Sequence, residues 1–226
     1  MHKRGCIAFI PARGGSKRLP RKNVMNLQGR PMISWTINAA IQADCFDEIY
    51  VSTDDDEIAA VASLDGATPL IRPDPLAGDD ASVTQVLVDY LGQQTSMPET
   101  VVVLYATAPM RSAEDILATR NLLEPGKCDF AVAVSRYQFP PHQALKLESD
   151  DFASPVWPDL VTKRTSELGD LVVDNGSTYA VHSLAFLEHR TFFGPGTRVH
   201  AMPFTRSIDI DEPSDFEMMK LMMGGR

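Results

Sequence analysis

The stretch GCIAFIPARGGSKRLPRKN, residues 5–23, decides how this chain of 226 residues folds. Its first part, GCIAFIP at residues 5–11, is short, apolar and closed by Pro11, which is typical of a fully buried strand. Its second part, ARGGSKRLPRKN at residues 12–23, is a basic loop that contains two glycines. A buried strand that runs directly into such a loop predicts the first unit of an α/β domain, with a polar site at the end of the strand.

The rest of the chain alternates short apolar runs with amphipathic stretches, which predicts successive βα units. In chain order the predicted elements are strand 5–11, helix 31–43, strand 48–52, helix 56–64, strand 68–71, helix 80–91, strand 100–105, helix 112–123 and strand 130–135. Repeated βα units give an α/β fold with a mostly parallel, Rossmann-like sheet and helices on both faces. Ligands bind beyond the carboxyl ends of such strands, so we expect one rim built from loops 12–23, 53–55 and 106–111.

The pattern breaks over residues 137–193, a segment rich in proline and polar residues. We interpret it as an excursion from a single domain spanning residues 1–226, and we expect it to form a dimerisation arm or a lid. Beyond it, residues 199–203 and 207–211 return to strand-like alternation. A closing helix is predicted over residues 213–223.

The net charge of −9 argues against general nucleic-acid binding, which needs a basic face. No apolar run approaches the roughly 20 residues that span a bilayer, and the three cysteines are widely spaced, as in a reducing compartment. We therefore expect a cytoplasmic protein without membrane contact. Five of the 21 basic residues nevertheless lie in one ten-residue window: Arg13, Lys17, Arg18, Arg21 and Lys22. An acidic chain that concentrates positive charge in one loop is expected to bind a polyanion there.

The turn Gly14-Gly15-Ser16 indicates which polyanion the loop binds. A glycine-containing turn after a strand exposes consecutive backbone N–H groups, which form a nest for phosphate oxygens. The surrounding cations can then neutralise a triphosphate and stabilise the charge on departing pyrophosphate. The loop matches neither G-x-G-x-x-G nor G-x-x-x-x-G-K-[ST], which argues against a dinucleotide site or a P-loop. The alternative is a solvated loop that only closes a βα unit.

A second group of charges lies near the carboxyl terminus, in Ser207-Ile208-Asp209-Ile210-Asp211. On a strand, alternate residues face the same side, so Asp209 and Asp211 would present two carboxylates together while Ile208 and Ile210 face the core. Paired carboxylates suit Mg²⁺, which binds through a few carboxylates together with phosphate oxygens. The alternative is that one of the two aspartates caps the closing helix.

These motifs together resemble the signature of the CMP-sialic acid synthetases, the acylneuraminate cytidylyltransferase family. The resemblance covers almost the whole chain, as five islands in family order. They are residues 10–23, CFDEIYVSTD at 45–54, Arg72-Pro73 with LAGD at 76–79, TAPMR at 107–111 and SIDID at 207–211. The resemblance implies an α/β core of the nucleotide-diphospho-sugar transferase type, a dimerisation arm and a homodimer. It also implies that CMP is joined from CTP to an acidic nine-carbon keto-sugar, with Mg²⁺ as cofactor.

The resemblance further implies roles for single residues at the phosphate and metal end of the site. Arg13 and Lys17 match catalytic positions that contact the triphosphate, and Asp209 and Asp211 match catalytic, metal-binding aspartates. The set expected to bind CTP is Ala12, Arg13, Gly14, Ser16, Lys17, Lys22, Asn23, Arg72 and Ser82.

At the acceptor end the resemblance implies a second set of residues. The set expected to bind the sugar is Tyr105, Thr107, Arg111, Arg164, Asn175 and Tyr179. Arg164 lies in the excursion, so it would reach the site from its own chain or from a partner subunit. There it would hold the acidic substrate or a phosphate.

Two segments disagree about the identity of the sugar. Sialic acid enzymes carry Gln-Pro-Thr-Ser-Pro where this chain has Tyr-Ala-Thr-Ala-Pro at residues 105–109, which is similar to pseudaminic acid cytidylyltransferases. The run Asp-Asn-Gly-Ser-Thr-Tyr at residues 174–179 is closer to the sialic or legionaminic versions. The resemblance therefore implies a nonulosonic acid as acceptor. Pseudaminic acid is favoured, with N-acetylneuraminic and legionaminic acids as alternatives.

The hypothesis for the reaction is direct displacement at the α-phosphorus of CTP by the anomeric hydroxyl of the keto-sugar. Three alternatives stay open. A CMP-Kdo synthetase would share only the opening loop, and a uridylyl- or guanylyltransferase for neutral sugars leaves Arg164 and the excursion unexplained. A catalytically inactive nucleotide-binding subunit would have no need of Asp209 and Asp211.

Overall fold

The structure is a computed structural model, and it describes residues 5–78 and 80–224. Asp79, the last residue of the LAGD island, lies outside the described residues. The strands are β1 (Cys6–Pro11), β2 (Asn26–Leu27), β3 (Arg30–Pro31), β4 (Glu48–Thr53), β5 (Thr68–Ile71), β6 (Thr100–Leu104), β7 (Phe130–Arg136), β8 (Leu145–Leu147), β9 (Ala153–Pro155), β10 (Val172–His182) and β11 (Arg198–Ala201). The helices are α1 (Met32–Gln42), α2 (Asp56–Leu64), α3 (Val83–Gly92), α4 (Ala113–Arg120), α5 (Ser183–His189) and α6 (Pro213–Gly224).

Seven of these strands form the central sheet, in the order β11-β7-β10-β6-β1-β4-β5. Neighbouring strands are parallel except where β10 pairs antiparallel with β6 and with β7. The prediction of a mostly parallel, Rossmann-like sheet is confirmed. No helix in the described part of the chain is long and apolar enough to cross a bilayer.

Helices cover both faces of the sheet, which is why β1 is apolar along its whole length. Ala8 and Ile10 face the layer that contains α1, α2 and α4. Ile7 and Phe9 face the opposite layer, which contains α3 and α5. Successive side chains of a strand point to opposite faces, so the unbroken run GCIAFIP supplies both halves of the core.

A third apolar cluster joins the closing helix to the basic loop. Leu19 of the loop is buried together with Ile208, Ile210 and Phe216, the last of which lies on α6. Because both charged segments are attached to this one small core, the cluster fixes the basic loop and the two aspartates relative to each other.

Residues 207–211 do not form a strand, so that prediction is wrong. Within the described residues no strand pairs with them, and the backbone N–H of Ile210 instead donates to the carbonyl of Thr107 at 2.9 Å. The predicted alternation is still present, since Ile208 and Ile210 are buried in the third cluster. The segment therefore presents its aspartates without belonging to a sheet.

The excursion is shorter than the predicted interval 137–193, and the prediction is wrong for the second part of it. That part forms β10, which lies between β6 and β7 in the central sheet, and then α5. Asn175 and Gly176 interrupt the apolar pattern of β10, and its pairing with β7 changes register in the same stretch, as in a β-bulge. The part outside the sheet is residues 137–171, with the β8–β9 pair and short 3-10 turns.

The predicted bounds of the βα units agree with the structure to within a few residues. The largest difference at a helix start is α3, which begins at Val83 instead of residue 80. Ser82 stops it there as its N-cap: Ser82 Oγ accepts from the Gln85 backbone N–H at 3.2 Å, and the Gln85 side chain accepts from the Ser82 N–H at 2.7 Å. This reciprocal pair is a capping box.

Candidate active site

A cleft of about 690 Å³ lies at the carboxyl ends of β1, β5 and β6, at the rim predicted from the βα order. It brings the basic loop and the two aspartates into one cavity. The predicted site residues that line it are Arg13, Ser16, Lys17, Lys22, Asn23, Arg72, Ser82, Tyr105, Thr107, Tyr179, Asp209 and Asp211. Ala12, Gly14, Arg111, Asn175 and Arg164 do not line it.

Two of the three backbone N–H groups in the predicted Gly14-Gly15-Ser16 nest donate within the protein, so these two are not available to a phosphate. The Ala12 N–H continues the sheet by donating to the carbonyl of Ser52 at 2.9 Å. The Gly14 N–H donates to Asp54 Oδ1 at 2.9 Å, and the Ser16 N–H donates to the Gly14 carbonyl at 3.0 Å. These N–H groups therefore shape the loop, and the positive charge it presents comes from its side chains.

Gly14 is needed because the loop passes very close to the start of α2. A Cβ atom at Gly14 would lie 2.6 Å from Asp55 Oδ2, whereas a Cβ at Gly15 would meet nothing within 4 Å. Asp55 is the N-cap of α2 and accepts from the Ile58 N–H at 3.0 Å, so it cannot easily move away.

Arg21 ties the other end of the loop to the same helix. It has a left-handed backbone with φ of 58°, which is costly for a residue with a side chain. Its guanidinium forms ion pairs with Asp55 and Glu57. The hydrogen bond from Arg21 lowers the pKa of Asp55 below its ordinary value. Asn23 completes the anchoring by donating to the carbonyl of Arg13 at 2.9 Å.

Asp211 contacts two cations of the basic loop. Lys22 Nζ lies 2.9 Å from Asp211 Oδ1, and Arg18 Nη2 lies 2.7 Å from Asp211 Oδ2. Burial raises the pKa of Asp211, but the contacts with Lys22 and Arg18 outweigh it and hold the pKa below its ordinary value. The carboxylate of Asp215, in the first turn of α6, accepts from the backbone N–H groups of Asp211 at 3.0 Å and of Glu212 at 2.8 Å, which fixes the chain as it enters the helix.

Asp209 is the more enclosed carboxylate of the pair. Its Oδ1 is sealed from solvent and has no hydrogen-bond partner in the protein. Burial raises the pKa of Asp209 above its ordinary value. Gly176 allows this close packing, because it has φ of +64° and a Cβ there would lie 2.8 Å from Asp209 Oδ2.

The two aspartates fit a Mg²⁺ site that is completed by phosphate. An unpartnered buried carboxylate oxygen at Asp209, beside a second carboxylate at Asp211, provides hard oxygen donors. The described residues contain no group of three or more His, Cys, Asp or Glu side chains that could hold a metal alone. Such a site suits an ion that arrives with the phosphates of a nucleotide.

Arg72 and Ser82, both in the set expected to bind CTP, line one end of the cleft. Arg72 is buried and donates to Ser52 Oγ and to the Ser52 carbonyl, both at 3.0 Å. Burial lowers the pKa of Arg72. Because these bonds fix the guanidinium, Arg72 presents a rigid donor group at the wall of the cleft.

Tyr105 and Tyr179 form an aromatic wall at the opposite end of the cleft. Their ring centroids lie 5.5 Å apart in an edge-to-face arrangement. The Tyr179 hydroxyl donates to the carboxylate of Asp174, whose oxygens lie 2.7 and 2.9 Å away. Burial raises the pKa of Tyr105 to about 12, so this wall stays uncharged at neutral pH.

Arg111 and Asn175 lie behind this wall, which corrects their predicted contact with the sugar. The fully buried guanidinium of Arg111 donates to the carbonyls of Tyr105 and Ser177, at 3.2 and 2.7 Å, and to Thr36 Oγ1 at 2.8 Å. Burial lowers the pKa of Arg111 to about 9. Arg111 is therefore a brace between β6, β10 and α1.

Asn175 is also buried and has its hydrogen bonds inside the protein. Its Oδ1 accepts from Ser177 Oγ at 2.7 Å, and its Nδ2 donates to Ser207 Oγ at 3.2 Å. It thereby connects the bulge of β10 to the segment that carries the aspartates.

Arg164 lies on an exposed turn within residues 137–171, and it does not line the cleft of its own chain. Six residues that line the cleft were not among the predicted site residues: Pro11, Arg18, Ala81, Val83, Ala106 and Gly176. Arg18 belongs to the basic window, which was its only signal. The Asn-Gly dipeptide at 175–176 was the signal for Gly176, because this pair is typical of positive φ.

The parallel sheet, with a cationic loop and two aspartates in one rim cleft, has the architecture of a nucleotidyltransferase. The chain belongs to the cytidylyltransferase family, since the sequence model of that family, described as "Cytidylyltransferase", matches residues 7–150.

Named relatives cover nearly the whole chain. A pseudaminic acid cytidylyltransferase of Campylobacter jejuni is 33% identical over 220 residues, which are 96% of this chain and 95% of the relative. The CMP-N,N'-diacetyllegionaminic acid synthase of Legionella pneumophila is 34% identical over 226 residues, with the same coverage. An N-acylneuraminate cytidylyltransferase of Escherichia coli is 33% identical over 94% of this chain but only 50% of its own length. The resemblance inferred from the motifs is confirmed.

Solved structures agree with the fold. A CMP:2-keto-3-deoxy-manno-octonic acid synthetase complexed with CTP superimposes with a TM-score of 0.70 at 19% identity, over 97% of this chain and 98% of the other. A 4-diphosphocytidyl-2C-methyl-D-erythritol synthase gives a TM-score of 0.70 at 13% identity, over 99% of this chain and 100% of the other. At these identities the likeness shows the fold alone.

Proposed function

We propose that this chain transfers CMP from CTP to the anomeric hydroxyl of a nonulosonic acid and releases pyrophosphate. One observation carries the proposal: the cations of the basic loop and the carboxylates of Asp209 and Asp211 line a single cleft. A nucleoside triphosphate with a bound divalent cation needs both kinds of group. The names of the three relatives, which refer to pseudaminic, legionaminic and N-acylneuraminic acids, support a nonulosonic acid as the acceptor.

The basic loop acts on the triphosphate. Arg13, Lys17 and Lys22 hold the phosphates and stabilise the negative charge that develops on departing pyrophosphate. The ties of the loop to Asp54 and Asp55 keep these side chains in place before the reaction, so little reorganisation is needed.

Asp209 and Asp211 are the residues that would hold Mg²⁺. When bound there, Mg²⁺ would neutralise charge on the phosphate oxygens. The buried, unpartnered Oδ1 of Asp209 is the donor that supports this assignment. The anomeric hydroxyl attacks the α-phosphorus as pyrophosphate leaves, so the two reacting groups must be aligned across this cleft.

Arg72 and Ser82 stand at the cytosine end and the two tyrosines at the sugar end. The uncharged wall of Tyr105 and Tyr179 packs against the apolar side of the sugar, and Thr107 supplies a hydroxyl beside it. We favour pseudaminic acid because of the Tyr-Ala-Thr-Ala-Pro run at residues 105–109. N-acetylneuraminic and legionaminic acids are the alternatives.

We further propose a homodimer formed through residues 137–171. This segment exposes large apolar side chains, including Phe139 at 85% and Leu147 at 80% exposure, which suits an interface. Arg164 would then reach the acidic sugar or a phosphate of a neighbouring site. Cytoplasmic operation is consistent with the thiols of Cys6 and Cys128, which are in no disulfide.

The test is pyrophosphate release from CTP with a panel of acceptors: pseudaminic, legionaminic, N-acetylneuraminic and Kdo acids. Release with one nonulosonic acid and not with Kdo supports the proposal. A preference for UTP or GTP would favour a uridylyl- or guanylyltransferase instead. Nucleotide binding without pyrophosphate release on any acceptor would favour a catalytically inactive subunit. Near-normal turnover of Asp209→Ala with Mg²⁺ would contradict the metal assignment.

A further inference from the structure

Arg18 contacts the carboxylate that the proposed function assigns to a divalent cation. Arg18 Nη2 lies 2.7 Å from Asp211 Oδ2, and Lys22 Nζ lies 2.9 Å from Asp211 Oδ1. Both oxygens of Asp211 are therefore occupied by side chains of the basic loop. Asp209, by contrast, has a buried Oδ1 without any partner.

The two ion pairs of Asp211 differ in burial. The Arg18 side chain is 62% exposed, whereas the Lys22 side chain is 13% exposed. Exposed ion pairs contribute little to stability because water and salt screen them. A pair shielded from water is screened much less. Arg18 is therefore the partner that Asp211 can exchange. Lys22 is the partner that it keeps, because the lysine ammonium has three donors and can contact a phosphate oxygen while it stays on Asp211.

We infer that Arg18 is the exchangeable counter-ion of Asp211, a positioning residue for the divalent cation. Without nucleotide, the guanidinium of Arg18 occupies Asp211 Oδ2. When a nucleoside triphosphate binds, the guanidinium moves to the phosphate oxygens. Asp211 Oδ2 then becomes available as a ligand beside Asp209. This inference rests on the proposed use of CTP with a divalent cation.

One consequence is that metal and nucleotide bind cooperatively. Without nucleotide, a divalent cation must displace Arg18 from Asp211, and the displaced guanidinium has no new anionic partner. With nucleotide, Arg18 has a new anionic partner, so the exchange is favourable. By linkage, the nucleotide strengthens metal binding by the same factor by which the metal strengthens nucleotide binding.

The experiment is Mn²⁺ binding to the protein without nucleotide, followed by electron paramagnetic resonance of free Mn²⁺. Arg18→Met removes the competitor at Asp211, and we expect it to bind Mn²⁺ about threefold to fivefold more tightly than wild type, the effect of removing an exposed pair. Arg21→Met is the matched control. It removes the same charge from the same loop, but Arg21 pairs with Asp55 and Glu57. We expect it to change Mn²⁺ affinity by less than about twofold because of screening.

Three outcomes would overturn the inference: equal Mn²⁺ affinities in wild type and Arg18→Met, an equal gain in Arg21→Met, or no Mn²⁺ binding to Arg18→Met at millimolar metal. Pyrophosphate release separates this inference from the proposed function. A chain that releases pyrophosphate normally but shows equal Mn²⁺ affinities refutes only the role of Arg18. A chain that releases none on any acceptor refutes the proposed function, whatever the Mn²⁺ result.

Discussion

Arg111 shows how one buried charge holds the wall of Tyr105 and Tyr179 in place. Its three hydrogen bonds reach the end of β6, the bulge of β10 and a hydroxyl on α1. Two of the acceptors are backbone carbonyls that have little access to water. Each carbonyl also accepts from a backbone N–H, the Ser177 carbonyl from Tyr105 at 3.1 Å and the Tyr105 carbonyl from Ala108 at 3.4 Å. Removing the guanidinium therefore deletes three hydrogen bonds from a charged donor, which contribute about 1.5–3 kcal/mol each before the relief of the buried charge is subtracted.

We therefore expect Arg111→Met to lower the free energy of unfolding by about 2–4 kcal/mol, measured by urea denaturation. The matched control is Arg136→Met, because Arg136 is exposed and lies 3.7 Å from an exposed Asp170. This control should change the free energy of unfolding by less than about 0.5 kcal/mol. Equal stabilities of the two variants would show that Arg111 is not a brace.

The two adjacent glycines of the loop give a second contrast at this scale. Gly14→Ala places a methyl group against Asp55, which is held by its capping bond and by Arg21. We expect this variant to lose about 1–3 kcal/mol of stability through overpacking. Gly15→Ala has open space and should stay within about 0.5 kcal/mol of wild type. Thermal unfolding without nucleotide measures both, and a Gly15→Ala loss as large as that of Gly14→Ala would contradict the steric argument.

Among the elements, Asp115 of α4 connects that helix to the segment carrying the aspartates. It accepts two hydrogen bonds from Arg206, both at 2.9 Å, and one contact from His200 at 3.2 Å. Burial raises the pKa of Asp115, but the bonds from Arg206, Ser112 and His200 outweigh it and hold the pKa far below its ordinary value. The ionised carboxylate therefore stabilises the folded state.

This pairing predicts a pH dependence of stability. Because the folded-state pKa of Asp115 is depressed, its contribution is fully present above the unfolded value of about 4 and is lost as pH falls toward the folded value. Asp115→Asn should lower the free energy of unfolding by about 2–4 kcal/mol at pH 7. The difference from wild type should shrink below about pH 4. Urea unfolding at pH 7 and pH 2.5 checks this, and an undiminished difference at pH 2.5 would count against the ionised pair.

The elements that the sequence predicted well are those with an unbroken local pattern. GCIAFIP at residues 5–11 and TVVVL at residues 100–104 are buried on both faces, and their short apolar runs indicate buried strands. Strand β10 was missed because its bulge carries polar residues that satisfy one another. Its place in the sheet depends on partners far away along the chain, which local periodicity does not report.

The candidate site, too, was predicted only where the signal is local in sequence. The basic loop and the paired aspartates were visible because like charges close together in sequence need a ligand. The burial of Arg111 and Asn175 could not be predicted, because arginine and asparagine serve both as ligand contacts and as buried hydrogen-bonding residues. Only the tertiary arrangement separates these roles.

At the scale of the whole molecule, the proposed homodimer makes it possible to test which subunit supplies Arg164 to a given site. If Arg164 acts on a neighbouring site, Arg164→Ala and Asp209→Ala homodimers are each inactive, but a mixed dimer has one intact site. Random reassembly of equal amounts should then recover about a quarter of wild-type pyrophosphate release. Recovery requires subunit exchange, which a tagged wild-type chain can verify by co-purification. With exchange verified and both parent homodimers inactive, no recovery would show that Arg164 serves its own chain.

Strand β10 is antiparallel to both of its neighbours, and this direction determines where the 137–171 segment leaves and re-enters the sheet. Arg136 at the end of β7 is paired with Val172 at the start of β10, so the two junctions are neighbours on the rim of the cleft. A segment joined at two adjacent points is topologically a long hairpin loop, and loops of this kind can lengthen, shorten or diverge at small entropic cost. Evolution can therefore remodel this appendage, and with it the proposed subunit pairing, while the strands that carry the cleft are left untouched.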